Sequence, residues 1–285
     1  MFSTKAVLVK VAYRDYDIDS VSLLLFRMLF ALPIYIVIAV IVSRKQTYKP
    51  TRKEYLQIIG LGVLGYYLSS LFDFMGLQYI TASLERLILF IYPTIVVLIG
   101  VVFFKEKITR SQVIALILTY IGIVIVFMGN VDITDQRNLW IGSTLIFICA
   151  ITYAIYFVGS GQLLPKLGTW LYTSYALTVS CIAVIIHYLV ANGGSVSLDY
   201  PTGIYVIGFL MATVSTVIPS LLTSEGIRII GASNSAIIAS VGPISTITLA
   251  YIFLDERLSN VQFLGGILVL GGVLFISLQQ KRKKN

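Results

Sequence analysis

Long apolar runs separated by short polar breaks, such as the stretch around Pro165, dominate the pattern of this sequence. An α-helix needs about 20 apolar residues to cross the ~30 Å hydrocarbon core of a bilayer, whereas a barrel strand needs only about ten alternating ones. The runs are too long and too uniformly apolar for strands, so the pattern predicts an all-α polytopic membrane protein with ten transmembrane helices. The predicted spans are residues 1–13, 20–43, 55–79, 81–104, 111–128, 139–159, 169–190, 202–226, 231–254 and 260–278.

The composition excludes several other classes of protein. Only 12% of the 285 residues are charged, and the mean hydropathy is +0.92, whereas a soluble domain carries roughly a quarter charged residues. A cytosolic enzyme, a disordered chain and a disulfide-stapled secreted domain are therefore excluded. The sequence contains no P-loop, no H-E-x-x-H and no G-x-S-x-G motif, so neither an enzymatic activity nor a cofactor is predicted. Cys149 and Cys181 lie in apolar runs and are interpreted as small buried hydrophobes.

The distribution of positive charge predicts the orientation in the membrane. The net charge is +8, and in a membrane protein excess Lys and Arg report orientation rather than a nucleic-acid partner. If the N-terminus is cytoplasmic, 14 lysines and arginines fall in inner loops and the tail, and three fall in outer loops. The positive-inside rule therefore predicts a multi-pass protein of the cell membrane with both termini in the cytoplasm.

The first predicted span is unusually short. Its 13 residues give about 20 Å of helix, less than the ~30 Å of the hydrocarbon core. One interpretation is a helix that ends midway in the membrane. The favoured interpretation is that the first helix is truncated and that about 10–15 mostly apolar residues belong before it.

An internal repeat is the strongest signal in the sequence. The segment that begins at Ile80 aligns without a gap with the segment that begins at Ile230, at a constant offset of 150 residues. The alignment predicts a duplication, with a first five-helix repeat at 1–130 and a second at 137–280. Because five spans separate the two segments, the repeats are predicted to be inverted, an arrangement typical of secondary transporters. Matched pairs in this register include Pro93 with Pro243, Glu106 with Glu256, Gln112 with Gln262 and Gly122 with Gly272.

The same segments carry a family resemblance. SVSLLLFRMLF, GLQYITASLERLILFIYPTIVVLIG and GASNSAIIASVGPISTITLAYIFLDERL resemble the EamA-type transporters of the drug/metabolite transporter superfamily. The resemblance covers essentially the whole chain. It implies a proton-coupled or facilitative carrier in the lipid bilayer for small polar metabolites such as amino acids or drugs, often an exporter. A homodimer is left open, and the alternative function is a transport-inactive scaffold or signalling component that keeps the fold.

Five charged residues inside the predicted spans are the first candidates for substrate binding or gating. Charges in the hydrocarbon region are costly and mark functional sites. Asp73 and Arg86 lie on adjacent antiparallel helices, so a direct ion pair between them is expected. A purely structural ion-paired network is the alternative, and in the family resemblance Lys10 and Arg27 match recurrent basic positions. All five lie at the depth of the outer leaflet: Lys10, Arg27, Asp73, Glu85 and Arg86.

Tyrosines near the middle of the predicted spans supply uncharged polar groups to the candidate cavity. A buried phenol needs a hydrogen-bond partner, and a wet cavity between the repeats provides one. Glu225 lies near the cytoplasmic end of its span, where an interfacial ion pair with Arg228 is the favoured interpretation.

The remaining candidates are prolines and tyrosines inside the spans. The symmetric prolines Pro93 and Pro243 are assigned either to bending during gating or to packing kinks. The candidate tyrosines are Tyr66, Tyr67, Tyr92, Tyr153 and Tyr156.

Overall fold

The structure is a computed structural model that describes residues 3–46, 48–128, 136–195 and 199–239, with isolated positions between 242 and 275. Every regular element in these ranges is helical, which agrees with the predicted all-α class. Five helical stretches are long and apolar enough to cross a membrane, and Tyr92–Phe104 and Arg110–Gly122 are shorter apolar helices. The five are Ser20–Lys45, Arg52–Leu77, Asn138–Leu167, Thr169–Ala191 and Thr202–Ile230.

The helices of the first half begin at residues suited to helix N-termini. The Asp19 carboxylate accepts hydrogen bonds from the backbone N–H groups of Val21 and Ser22, at 2.8 and 3.0 Å, and thereby caps α2. Thr51 and Glu54 form a reciprocal capping box at the start of α3. The helices are α1 Ser3–Asp15, α2 Ser20–Lys45, α3 Arg52–Gly62, a π-helical segment Val63–Leu68, α4 Ser69–Leu77, α5 Ala82–Leu89, α6 Tyr92–Phe104 and α7 Arg110–Met128.

Two glycines with positive φ separate consecutive helices in the second half. Gly168 (φ 75°) divides α8 from α9, and Gly231 (φ 81°) divides α11 from α12, a conformation that glycine adopts without steric cost. The helices are α8 Gln136–Leu167, α9 Thr169–Ala191, α10 Thr202–Ala212, a π-helical segment Thr213–Val217, α11 Ile218–Ile230 and α12 Ala232–Ile238.

Several element bounds recur at the offset of 150 residues. Adding 150 to α3 gives the bounds of α10, and the same shift takes the first residue of the first π-helical segment to that of the second. The shift also takes the start of α5 to the start of α12. The local backbone geometry of the two segments therefore follows the register of the sequence repeat, while the two-repeat division and its inversion across the membrane stay predictions.

The long helices of the two halves pack against each other. Helix α2 lies against α9 and α10, and α3 also packs against α9. Helix α8 packs against α4, α5 and α6 of the first half. The contacts of α3 with α9 and of α10 with α2 are related by the same offset, so the centre of the molecule lies between the two halves.

Two boundaries differ from the sequence-based predictions. The predicted span 81–104 is broken, because α5 ends at Leu89 and α6 begins at Tyr92 with Pro93 in its first turn. The predicted break around Pro165 is shifted to Gly168: α8 continues through the proline to Leu167, beyond the predicted end at 159, and the chain turns at Gly168. A proline removes one helical hydrogen bond, and here the positive φ of the glycine ends the helix.

Parts of the predicted second repeat cannot be compared. Pro243, Glu256, Gln262, Gly272 and most of the span 260–278 lie outside the described residues. The described positions of the span 231–254 begin with α12.

Candidate functional site

A cavity of about 100 Å³ lies between the two halves. From the first half it is lined by residues of α1, α2, the first π-helical segment, α4, α5 and α6. From the second half it is lined by residues of α8, the second π-helical segment, α11 and the chain after α12. Three pairs of lining residues are equivalent at the 150-residue offset: Gly65 with Ser215, Leu89 with Ala239 and Tyr92 with Gly242. Each π-helical segment thus contributes to the wall, as is frequent for π-bulges at functional sites.

Arg27 on α2 lines this cavity and is only 2% exposed. Its Nη2 donates a hydrogen bond to Oγ of Ser70 at 3.1 Å, and its Cζ lies 5.3 Å from the ring centroid of Phe74. The Nε and Nη1 atoms of Arg27 have no hydrogen-bond partner within the described part of the chain. The sequence-based candidate is thus placed in the cavity wall with part of its donor capacity unused.

Asp73 on α4 is completely buried and lies behind the cavity wall. Its Oδ2 lies 2.8 Å from Nζ of Lys5 on α1. The ion pair shown for Asp73 is therefore with Lys5, in place of the Arg86 partner expected from the sequence. The difference arises because α1 also contacts α4 and α5, which brings a third helix with its own cation to the carboxylate.

Glu85 and Arg86 form the second ion pair of this region. Nε of Arg86 lies 3.2 Å from Oε2 of Glu85, and Glu85 is completely buried. Arg86 lines the cavity, whereas Glu85 is behind it. Lys10 lies elsewhere: its Nζ donates to the backbone carbonyl of Leu77 at 3.0 Å, at the end of α4.

Three of the five candidate tyrosines line the cavity. They are Tyr66 on the first π-helical segment, Tyr92 at the start of α6 and Tyr153 on α8. The rings of Tyr92 and Tyr153 meet edge to face, with centroids 5.1 Å apart, a favourable aromatic geometry. Tyr156 stands behind Tyr66, at a centroid distance of 4.9 Å, and therefore supports the wall.

Like Lys10, the candidates Tyr67 and Glu225 lie away from the cavity. The ring of Tyr67 meets the ring of His187 with centroids 5.8 Å apart. Glu225 pairs with Arg228, whose Nε donates to Oε2 at 2.9 Å, and it also accepts a hydrogen bond from Thr169. The predicted ion pair of Glu225 and Arg228 is thus present, while its position at the membrane interface stays a prediction. Neither Tyr67 nor Glu225 is part of the cavity wall.

The sequence-based reasoning missed lining residues on α1 and α4. Lys5 is not among the sequence-based candidates, although it is as unusual in an apolar run as Lys10. Ser69 and Ser70 follow the first π-helical segment and line the cavity. Their position three and four residues after Tyr66, and three to four residues before Asp73, places them on the same helical face, and this spacing was the available signal.

The chemistry of the cavity is suited to non-covalent binding. Its wall combines three cations, several hydroxyl groups and a cluster of aromatic rings. Within the described ranges, no group of three His, Cys, Asp or Glu side chains could hold a metal ion. A small polar molecule would find both hydrogen-bond donors and aromatic surface in this cavity.

Comparisons with known proteins cover nearly the whole chain. The sequence profile of the EamA-like transporter family matches residues 1–128 and 140–278. The uncharacterized transporter YcbK of Bacillus subtilis (strain 168) is 30% identical over 286 residues, covering 99% of this chain and 90% of the relative. The uncharacterized transporter sll1319 of Synechocystis is 26% identical over 281 residues, covering 92% and 80%. A crystal structure with 13% sequence identity shares the fold at a TM-score of 0.72, covering 100% of this chain and 98% of the other. The chain belongs to the EamA-like transporter family.

Proposed function

We propose that this multi-pass membrane transporter is a secondary carrier of small polar metabolites and that the cavity between its halves is the substrate site. The substrate class includes amino acids, drugs and related compounds. In this proposal the chain forms ten transmembrane helices as two inverted five-helix repeats, 1–130 and 137–280, that rock against each other. The runner-up, a transport-inactive scaffold that keeps the fold, is the outcome against which the proposal is tested.

The observation that carries the proposal is the position of the cavity between repeat-equivalent residues. Binding sites of carriers with inverted repeats lie at the interface of the repeats, near the middle of the membrane. Here Gly65 and Ser215, from equivalent positions of the two π-helical segments, face the same space. Tyr92 also joins the halves, because its hydroxyl donates to the backbone carbonyl of Ala236 at 3.4 Å. Motion of one half against the other would therefore change the access to this site.

Direction and coupling complete the proposal. The distribution of Lys and Arg supports cytoplasmic termini in the cell membrane, and the family resemblance favours export. Asp73 and Glu85 are buried carboxylates that contact cations next to the cavity. They are the residues that we assign to proton coupling, if the carrier is coupled to protons. A homodimer is compatible with the proposal and is not required by it.

The test compares cells that overproduce the protein with cells that lack it. Tolerance and accumulation are measured for a panel of amino acids and toxic analogues, and each positive compound is re-measured in membrane vesicles. Ser215→Phe places a large side chain at a cavity position that is buried, whereas Ile218→Phe places the same side chain at an exposed position one turn away. We expect Ser215→Phe to lose at least 90% of transport by simple occlusion of about 100 Å³ and Ile218→Phe to keep it.

Protein amounts in the membrane, measured by immunoblot, must match for the two variants. Equal transport by the wild type and Ser215→Phe would contradict the assignment of the cavity as the substrate site. If no compound in the panel distinguishes producing cells from deleted cells, the scaffold function is favoured instead.

A further inference from the structure

Arg27 brings a buried positive charge to the cavity that its neighbours in the described chain satisfy only in part. A guanidinium has five N–H donors in a planar fork and stays charged in proteins. A buried charge without hydrogen-bond acceptors costs several kcal/mol. Only one donor of Arg27 is used, by Ser70, and Nε and Nη1 have no partner among the described residues.

The nearby carboxylates do not satisfy this cation. Asp73 pairs with Lys5 and Glu85 pairs with Arg86, at 2.8 and 3.2 Å. Across the described ranges, no carboxylate oxygen lies within 4.0 Å of the Arg27 guanidinium. Two cations are thus matched by two carboxylates, and Arg27 is left as the excess positive charge at the cavity.

The surroundings of Arg27 are shaped for a charged group attached to an apolar body. Phe74 lies beside the guanidinium, 5.3 Å from ring centroid to Cζ. Ser70 accepts from Arg27 and keeps its own hydroxyl proton available for a ligand. In the same cavity, the aromatic side chains of Tyr92, Tyr153 and Phe157 contact one another and provide a wall of ring surface.

We propose that the substrate is a small organic carboxylate whose anionic group binds to Arg27. The inference rests on the proposed function, because it takes the cavity as the substrate site, and it narrows the substrate class. A guanidinium binds a carboxylate through two parallel hydrogen bonds, which are stronger than neutral ones. Ser70 uses one N–H of Nη2, so the second N–H of Nη2 forms such a pair with the adjacent N–H of Nε or of Nη1, both of which are unused. The aromatic rings that line the cavity receive the apolar part. Organic cations and neutral isosteres are accordingly disfavoured.

The test is a binding measurement on the purified wild-type protein in detergent. The shift of the unfolding temperature is followed by the fluorescence of its two tryptophans at constant ionic strength. The probes are phenylacetate, its neutral isostere phenylacetamide and inorganic phosphate. We expect phenylacetate to bind at least tenfold more tightly than phenylacetamide, because the neutral amide forgoes the charge-assisted pair.

Variants connect this preference to the residue. Arg27→Gln is expected to abolish it, whereas Arg27→Lys should weaken phenylacetate binding at least threefold, since an ammonium keeps the charge and loses the planar fork. Arg14→Gln is the matched control: this arginine is exposed at the end of α1, so the full preference should persist. If Arg27→Gln does not fold, Arg27→Lys decides the matter, and undiminished phenylacetate binding in it overturns the proposal.

Other outcomes also overturn the inference. These are equal binding of phenylacetate and phenylacetamide, a preference that survives in Arg27→Gln, saturable binding of phosphate alone, and saturable binding of none of the three probes. The two proposals fail separately. Transport of only neutral or cationic compounds would support the carrier function and contradict the anion site. Arg27-dependent anion binding without any transport would support the anion site and contradict the carrier function.

Discussion

Breaking the buried ion pair between Lys5 and Asp73 should destabilise the protein more than removing the pair altogether. The two atoms are 2.8 Å apart, and the side chains of Asp73 and Lys5 are 0% and 13% exposed. Asp73→Asn leaves a buried ammonium without its partner, and Lys5→Met leaves a buried carboxylate. The double variant leaves neither charge, so it avoids the penalty of an uncompensated ion.

The expected size follows from the geometry. At 2.8 Å and an effective dielectric constant of about 20, two unit charges attract by about 6 kcal/mol before desolvation is counted. Removing one partner of a buried pair typically costs about 3–5 kcal/mol, whereas replacing both is often close to neutral. The double-mutant cycle should therefore show a coupling energy of at least about 2 kcal/mol between Lys5 and Asp73.

The assay is the free energy of unfolding in mixed micelles for the wild type, both single variants and the double variant. A second cycle with Arg86→Gln and Asp73→Asn tests the pair favoured by sequence alone and should show the smaller coupling. The control is the exposed pair of Arg14 and Asp15, whose N–O distance of 2.7 Å is as short as that of the buried pair. Because this pair is exposed, its coupling energy should be too small to resolve. Additive losses for Lys5 and Asp73 would refute the reasoning.

Topology, helix packing and the extent of the site are each tested by one further experiment. Single cysteines at Thr109 and Ser259, in a variant without native cysteines, should react with an impermeant reagent from opposite sides; reaction from one side contradicts inversion. Gly62→Ala should lower the free energy of unfolding by about 1–3 kcal/mol, because its Cβ would overlap the α9 backbone. Gly60→Ala has open space and should not be destabilising, so equal losses refute this packing. Glu225→Gln should keep transport in vesicles; a loss as large as that of Ser215→Phe would extend the site beyond the cavity.

The sequence predicts the bounds of a helix along the chain better than the direction of its side chains around the helix. Hydropathy fixes where an apolar run starts and ends, and α2 and α9 begin at the residues predicted for their spans. Two tyrosines illustrate why the direction around a helix is harder to predict. Tyr66 and Tyr67 are neighbours at the same depth, but successive side chains differ by about 100° around a helix. One therefore lines the cavity and the other meets His187.

The partner of Asp73 could not be predicted for the same reason. A choice between Lys5 and Arg86 depends on how three helices are rotated against one another, and a single sequence carries no such information. The extended α8 and the divided α5 and α6 are different cases. Both contain a proline, yet the chain continues through Pro165 and breaks just before Pro93. Where the freed backbone groups find partners decides between these outcomes.

Equivalent positions of the two halves contribute different chemistry to the cavity. At the offset of 150 residues, Arg27 corresponds to Leu177, Asp73 to Thr223 and Arg86 to Ala236. The equivalents of the lining cations Arg27 and Arg86 are thus apolar, and the second half contributes hydroxyl groups to the cavity through Ser215 and Thr223. If the halves rock against each other as proposed, an anion held by the first half would keep its strongest contact throughout and would exchange only its weaker hydroxyl and aromatic contacts. Electrostatic binding would then be nearly the same in both orientations, and the access to the site would change at little cost in affinity. Such a carrier should bind its substrate with similar affinity from either side of the membrane, a property that vesicles of opposite orientation would reveal.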